Sequence, residues 1–282
     1  MKLSGKEFRD LDRKAVTLIG MSGVGKTTLA RKLPNTSWFH FSADYRIGTR
    51  YLVEPILDNI KEKAMGIDFL RDLLRSDSIY IGSAMTFDNL ELLSKYVGKL
   101  GDSKSGGLPL TDFKHRQKMH CEAEVQSMLD VGEFIGKAKS IYGYEHFVND
   151  CSGSICELND NRVFEHLAEH TLILYLASSS QLEQTVIERQ ISHPKPLFYD
   201  SDFLDGKLRS FMETNGYVSE QQINPDQFVQ WIFPALVEYR RPKYEAIASR
   251  YGYTIPADSI ESIRDEQDFV DLVCEALESS DE

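Results

Sequence analysis

The stretch Ala15-Val16-Thr17-Leu18-Ile19-Gly20-Met21-Ser22-Gly23-Val24-Gly25-Lys26-Thr27-Thr28-Leu29-Ala30-Arg31-Lys32-Leu33 decides how this chain is read. The apolar run Ala15 to Ile19 predicts a buried strand, and the residues after Thr27 predict a helix. The segment between them fits G-x-x-x-x-G-K-[ST]. Its glycines let the backbone take positive φ and turn successive N–H groups inward on a polyphosphate. Lys26 is placed to set its ammonium on the outer phosphates. Thr27 opens the helix, where its hydroxyl can ligate Mg²⁺ while the positive end of the helix dipole faces the nucleotide. Gly20, Met21, Ser22, Gly23, Val24, Gly25, Lys26, Thr27 and Thr28 are therefore the expected nucleotide site, with ATP and Mg²⁺ as its ligands.

Composition limits the remaining choices. At 282 residues and 41% hydrophobic content the chain can bury a core. A net charge of −12, from 32 Lys+Arg against 44 Asp+Glu, argues against a general nucleic-acid or anionic-membrane surface. No apolar run approaches the ~20 residues that span a bilayer. The start, Met1-Lys2-Leu3-Ser4-Gly5-Lys6, has no hydrophobic stretch of signal type, so a cytoplasmic location is expected. Cys121, Cys151, Cys156 and Cys274 form no C-x-x-C pair, which makes reduced thiols the default.

After the loop and its helix, Pro34-Asn35-Thr36 breaks the pattern. Ser37 to Phe41 then reads as an aromatic strand ending at Ser42-Ala43-Asp44. Strand, helix and strand make one βαβ unit, with both strands parallel in a helix-covered sheet. Residues 51–141 carry apolar residues at helical spacing and read as a helical insertion. Gly101 to Gly107 is expected to interrupt it as a flexible loop, ahead of one helix from Phe113 towards Lys139. Two more buried strands, His146 to Asn149 ending on Asp150 and Thr171 to Leu176, suit a parallel sheet. Helices near 181–190, 203–214, 226–250 and 266–277, a strand Gly252 to Ile255 and an unstructured tail from Ser279 complete the chain. The fold class is α/β, a three-layer P-loop NTPase fold with a central parallel sheet, a helical insertion and a helical C-terminal elaboration, in one domain over residues 1–282.

Further chemistry gathers at strand ends. Asp150 stands where P-loop proteins place the acid that holds Mg²⁺, although an aspartate there can also cap the turn into Ser152-Gly153-Ser154. Gly153 can let the backbone approach a substrate. Asp44 lies on the same carboxyl-end rim and can orient or deprotonate an acceptor hydroxyl, or else serve as a helix N-cap. Arg46 and Arg50, one turn apart, can bind an anionic substrate or form a solvated face. Glu188 to Leu197, with Pro194 and Pro196, reads as a loop able to close over ATP. In it, Arg189 or Lys195 would neutralise the transferring phosphoryl group. The histidines show no metal-ligand spacing, and His115 and His120 read as solvent-facing on their helix.

These pieces, in this order, resemble the shikimate-kinase-like branch of small P-loop kinases. The glycine loop matches its Walker A, and Ser42-Ala43-Asp44 falls at its D-x-D. Gly66-Ile67-Asp68-Phe69-Leu70-Arg71 is similar to G-E-x-x-F-R, and Asp150 to Ser154 sits at its glycine-rich segment. Lys195-Pro196-Leu197-Phe198 is similar to R-P-L-L, and Arg241 to Ala248 to the R-x-P-x-Y-x-x-x-A helix. The resemblance implies ATP- and Mg²⁺-dependent phosphoryl transfer to a hydroxyl of a small molecule. In it Lys26, Asp44 and Arg189 would be catalytic, and Thr27 and Asp150 would hold the metal. Asp44, Arg46, Arg50, Arg71, Gly153 and Lys195 would bind the acceptor. Ser42 in place of the first aspartate, Lys195 in place of arginine, a missing triple glycine and the extra segment 76–135 all argue against shikimate as that acceptor. Two other readings stand beside it: an ATPase or nucleotide switch whose insertion binds a protein partner, and a nucleic-acid end kinase, which the acidic charge disfavours.

Overall fold

The protein is described here from a computed structural model covering residues 3–279. In chain order, α1 (Gly5–Asp10) precedes β1 (Ala15–Ile19), followed by α2 (Lys26–Lys32), β2 (Trp38–Ser42) and α3 (Ala43–Arg46). A single π-helical turn, Ile47–Tyr51, then leads into α4 (Val53–Met65), α5 (Asp68–Arg75), α6 (Glu91–Val97), α7 (Leu110–Leu129) and α8 (Val131–Ser140). The remainder runs β3 (His146–Asp150), α9 (Asn161–His170), β4 (Leu172–Ala177), α10 (Ser180–Ser192), α11 (Ser201–Asn215), α12 (Pro225–Tyr251), β5 (Gly252–Pro256) and α13 (Glu266–Glu278).

The strands form one five-stranded sheet in the order β2-β3-β1-β4-β5, and every neighbouring pair is parallel. Parallel sheets are covered on both faces, which is why β1 and β4 read as near-continuous apolar runs. Four of five residues in β1 and five of six in β4 are buried. The chain leaves β1 for β2 on one side and later crosses to β4 on the other. The crevice beyond the carboxyl ends of β1 and β3 is therefore the topological switch point where such sheets bind ligands. Leu18 of β1 pairs in register with Asp150 of β3, which brings the glycine loop and that carboxylate to the same rim.

A buried polar chain pins the centre of the sheet. Thr171 Oγ1 donates to Leu167 O at 2.7 Å, so the 2.7 Å contact between Thr17 and Thr171 must have Thr17 as its donor. Asn149 Nδ2 in turn donates to Thr17 Oγ1 at 3.2 Å. Donation thus runs from β3 through β1 to the start of β4 and ends on α9.

Residues 51–141 are helical as expected, with two corrections. The expected helix from Phe113 to Lys139 is broken at Asp130, whose carboxylate accepts hydrogen bonds from Arg46 Nε and the Tyr51 hydroxyl. The expected flexible loop at Gly101 to Gly107 is tied down: Gly101 N donates to Leu108 O, Gly107 N to Asp102 O and Asp102 N to Ile223 O. The irregular stretch of the insertion is instead 76–90, where the one pairing is a bridge between Thr86 and Asn89. Ile47, Leu52, Ile56, Met85, Leu93, Tyr96, Val97 and Ala123 form a small core of their own, while Phe113, Met128 and Val131 join the main one. No helix among the described residues is long and apolar enough to cross a membrane. Of the expected tail, Ser279 ends α13 and Ser280 to Glu282 lie outside the described residues.

Thr17→Val keeps shape but cuts the donor chain, leaving Asn149 and Thr171 short of a buried partner. The expected cost is about 1–3 kcal/mol, read as a lower urea midpoint with unchanged slope. An unshifted midpoint would show that the chain adds nothing to stability.

Candidate active site

The glycine loop adopts the conformation its sequence requires. Gly20, Gly23 and Gly25 all have positive φ, at 148°, 90° and 105°. Met21 and Val24 anchor the loop in the core, each 4% exposed. Lys26 begins α2, one residue earlier than expected, and is buried, with Nζ donating to Gly20 O at 2.7 Å and Met21 O at 2.9 Å. Burial pulls its pKa below the ordinary lysine value, while Asp150 and Asp44 oppose that pull. Thr27 Oγ1 donates to Asp150 Oδ2 at 2.6 Å, so the hydroxyl and carboxylate expected at the metal are adjacent. His40 of β2 was not foreseen. Its Nε2 lies 3.5 Å from Asp150 Oδ2 and has no hydrogen-bond partner among the described residues.

Around this loop is a cavity of about 250 Å³, lined by Ser22, Gly23, Gly25 to Thr28, His40, Ser42, Asp44, Asp150, Gly153 and Arg189. Phe87 and Leu90 from the irregular stretch complete it, with Phe87 stacked on Tyr45 at 4.5 Å. A second cavity, of about 160 Å³, adjoins it. Its walls are Asp44, Leu93, Val97, His120, Ser152, Ser154, Leu197, Phe198 and Arg240. Ser22, Asp44, Leu90 and Gly153 line both.

Asp44 is not an N-cap. That duty falls to Ser42, whose side chain accepts from Tyr45 N, and the Asp44 carboxylate accepts no hydrogen bond from any described residue. Its pKa rises to about 6 through burial, with Glu124 and Asp150 adding to the rise against the pull of His120 and Lys26. Such a group is a proton acceptor near neutrality.

The other wall comes from α7. His120, read from the sequence as solvent-facing, is 7% exposed, and Glu124 one turn on is fully buried. Ser154 Oγ donates to Glu124 Oε2 at 2.7 Å and Ser152 Oγ donates to Oε1. Burial raises Glu124 to about 7 in spite of those bonds. Arg240 of α12, also unforeseen, is 2% exposed. Its Nε donates to Glu157, Nη1 to Gly153 O at 2.6 Å and Nη2 to Phe198 O at 2.8 Å. The Tyr244 hydroxyl lies 3.0 Å from Gly20 O and 3.1 Å from Gly153 O. Gly153 has to be glycine here, because a Cβ on it would stand 2.6 Å from Ser22 N.

The expected site residues therefore divide. Ser22, Gly23, Gly25, Lys26, Thr27, Thr28, Asp44, Asp150, Gly153 and Arg189 converge, with Gly20, Met21 and Val24 framing the loop. Four others are placed elsewhere. Arg46 pairs with Asp130 at 2.8 Å, Arg71 pairs with Asp68 and Asp72 on α5, and Arg50 and Lys195 are exposed outside both cavities. Arg189 itself lies in the last turn of α10, not in a loop, since the helix continues to Ser192.

No family model matches this chain, and no curated protein matches it in sequence. Among solved structures it is similar to a shikimate kinase from Bacteroides thetaiotaomicron, at 14% identity over 95% of this chain and 99% of that one, with a TM-score of 0.41. It is also similar to a shikimate kinase from Acinetobacter baumannii in complex with shikimate, at 13% identity over 84% and 99%, with a TM-score of 0.31. The parallel strand order and the glycine loop by themselves carry a three-layer P-loop fold.

Glu124 generates a pH prediction. Its carboxyl is raised from 4.5 to about 7 on folding, so the stability it contributes is complete below pH 4.5 and is lost as pH rises through 7. Urea midpoints of the parent should fall across that window, and Glu124→Gln should flatten the fall. Parallel curves for the two proteins would contradict the shift.

Proposed function

We propose that this protein is an ATP-dependent kinase that transfers a phosphoryl group to a hydroxyl of a small molecule. The observation that carries this reading is the position of Asp44, a free carboxylate shared by the glycine-loop cavity and the cavity beside it. One side chain there would face both the γ-phosphate and an acceptor.

The residues fit the nucleotide and its metal. Backbone N–H groups of the glycine loop would hold the phosphates, and the Lys26 ammonium would move from the loop carbonyls to the outer phosphate oxygens. Thr27 Oγ1 and Asp150 Oδ2, already in contact, would hold Mg²⁺. The metal would neutralise charge on the phosphates when bound. Asp44, with its pKa near 6, would orient the acceptor hydroxyl and take its proton. Arg189, on the wall of the nucleotide cavity, would stabilise charge on the transferring group. The insertion would serve the acceptor, because α7 supplies His120 to the cavity wall and the buried Glu124 beneath it.

Asp44→Asn should leave ATP affinity within a few-fold and lower acceptor-dependent ADP release by about 10² or more. The measurement is ADP release with and without a library of hydroxylated metabolites, alongside nucleotide titration. A variant that matches the parent in acceptor-stimulated rate would remove Asp44 from the chemistry. A parent whose ATP hydrolysis no acceptor stimulates would favour the switch reading.

A further inference from the structure

We propose that His40 is a positioning residue for the metal site, its Nε2–H steadying the Asp150 carboxylate when Thr27 and Asp150 hold Mg²⁺. The proposal rests on the reading of those two residues as the metal's holders and does not depend on which acceptor receives the phosphoryl group. Strand register puts the three side chains together. Ser42 pairs with Asp150 across β2 and β3, and His40, two residues earlier on β2, shares that face of the sheet because side chains alternate along a strand. Thr27, in the first turn of α2, meets Asp150 there. The His40 ring is itself held: its side chain is 20% exposed, Phe87 lies tilted against it with centroids 5.4 Å apart, and Phe87 is stacked on Tyr45.

Both groups in the contact are short of partners. His40 Nε2 is buried and has no hydrogen-bond partner among the described residues, while lying 3.5 Å from Asp150 Oδ2 on the wall of the nucleotide cavity. Buried polar atoms are nearly always paired, so one left over beside a cavity calls for a cause. Facing a carboxylate oxygen, Nε2 carries the proton, because a bare lone pair there would be repelled. The gap is longer than a hydrogen bond, and a shift of about 0.5 Å makes it one. Asp150, for its part, accepts from Thr27 alone among the described residues, at 2.6 Å. Lys26 does not serve it, since Nζ donates to Gly20 O and Met21 O. Thr27 can give a cation a lone pair and keep donating to Asp150, but a carboxylate with one donor still turns about its Cβ–Cγ bond. A second donor from the β2 side fixes its plane. Groups that orient a metal's ligands in this way typically change metal affinity by about 10- to 100-fold.

The test is equilibrium binding of a non-hydrolysable ATP analogue, followed by calorimetry in excess EDTA and again in saturating Mg²⁺. The gain in affinity on adding Mg²⁺ measures the metal's coupling to the nucleotide, with no turnover involved. The parent should show a gain, and Asp150→Asn should lose most of it. His40→Leu should lower the gain about tenfold or abolish it, while binding in EDTA stays within about twofold as evidence of an intact site. His40→Gln, whose amide offers an N–H at similar reach, should keep most of the gain. An undiminished gain in His40→Leu would overturn the proposal, leaving His40 as packing for Phe87. So would equal losses with and without Mg²⁺, which would place His40 on the nucleotide or the fold, and so would a Gln variant no better than the Leu one. A parent without a gain, or an Asp150→Asn that keeps it, would remove the metal from Asp150 and the proposal with it. The expected pattern without acceptor-stimulated ADP release would uphold the role of His40 while removing the kinase reading.

Discussion

A guanidinium closed off from water holds the two cavities in place. Arg240 joins α12 to Glu157, to the Gly153 turn after β3 and to Phe198 in the segment after α10, while Tyr244 one turn on touches Gly20 and Gly153. Burying a charge is costly, and removing one member of such a pair typically costs about 3–5 kcal/mol because its partner is left uncompensated. Here the arrangement sets a register. The Gly153 turn and Phe198 are referred to Arg240, and Tyr244 ties the glycine loop to the same turn. The Arg240 bonds occupy one N–H on each guanidinium nitrogen and pair its charge with the buried Glu157.

The helical insertion then has a concrete part in the site. Its outer helices enclose a small core, but α7 reaches the main core and presents His120 to the cavity with Glu124 buried beneath it. The irregular stretch 76–90 brings Phe87 and Leu90 over the glycine loop, and Arg31 of α2 pairs with Asp88 at 2.6 Å. Both cavities are therefore partly built from the insertion. Burial raises the Asp44 pKa, and of the two titratable groups that α7 brings near it, His120 opposes the rise and Glu124 adds to it.

What could be read from the sequence follows the physics of each element. The glycine loop was legible because its backbone geometry demands glycine at fixed spacing, and the strands because a sheet buried on both faces needs unbroken apolar runs. Asp150 and Asp44 were legible from their places at strand ends. The α7 wall was not. Phe113, Gln117, His120, Glu124 and Ser127 follow the 4-3-4-3 spacing of a buried helix face, and all are buried, but most are polar, so apolar periodicity passed over them. Polar residues occupying a core stripe that begins at Phe113 were the available signal. Arg240 was hidden in the same way beside Arg241, which pairs with Glu183 at the surface. The Gly101 to Gly107 loop was misread because its composition signals mobility, whereas its anchor, Ile223, lies far away in sequence. Arg46 offers an anion ligand or a solvated face from its spacing with Arg50, and its partner Asp130, at the break between α7 and α8, is too distant in sequence for spacing to bring near.

The claim on which the rest depends is that a carboxylate between two cavities directs a phosphoryl group from ATP to a hydroxyl rather than to water. Following ³¹P NMR of ATP and Mg²⁺ with the protein and a library of small alcohols tests this directly. The account predicts a phosphate-ester signal that grows in step with ADP in at least one mixture. Inorganic phosphate as the sole product, formed at the same rate with and without every alcohol, would contradict it.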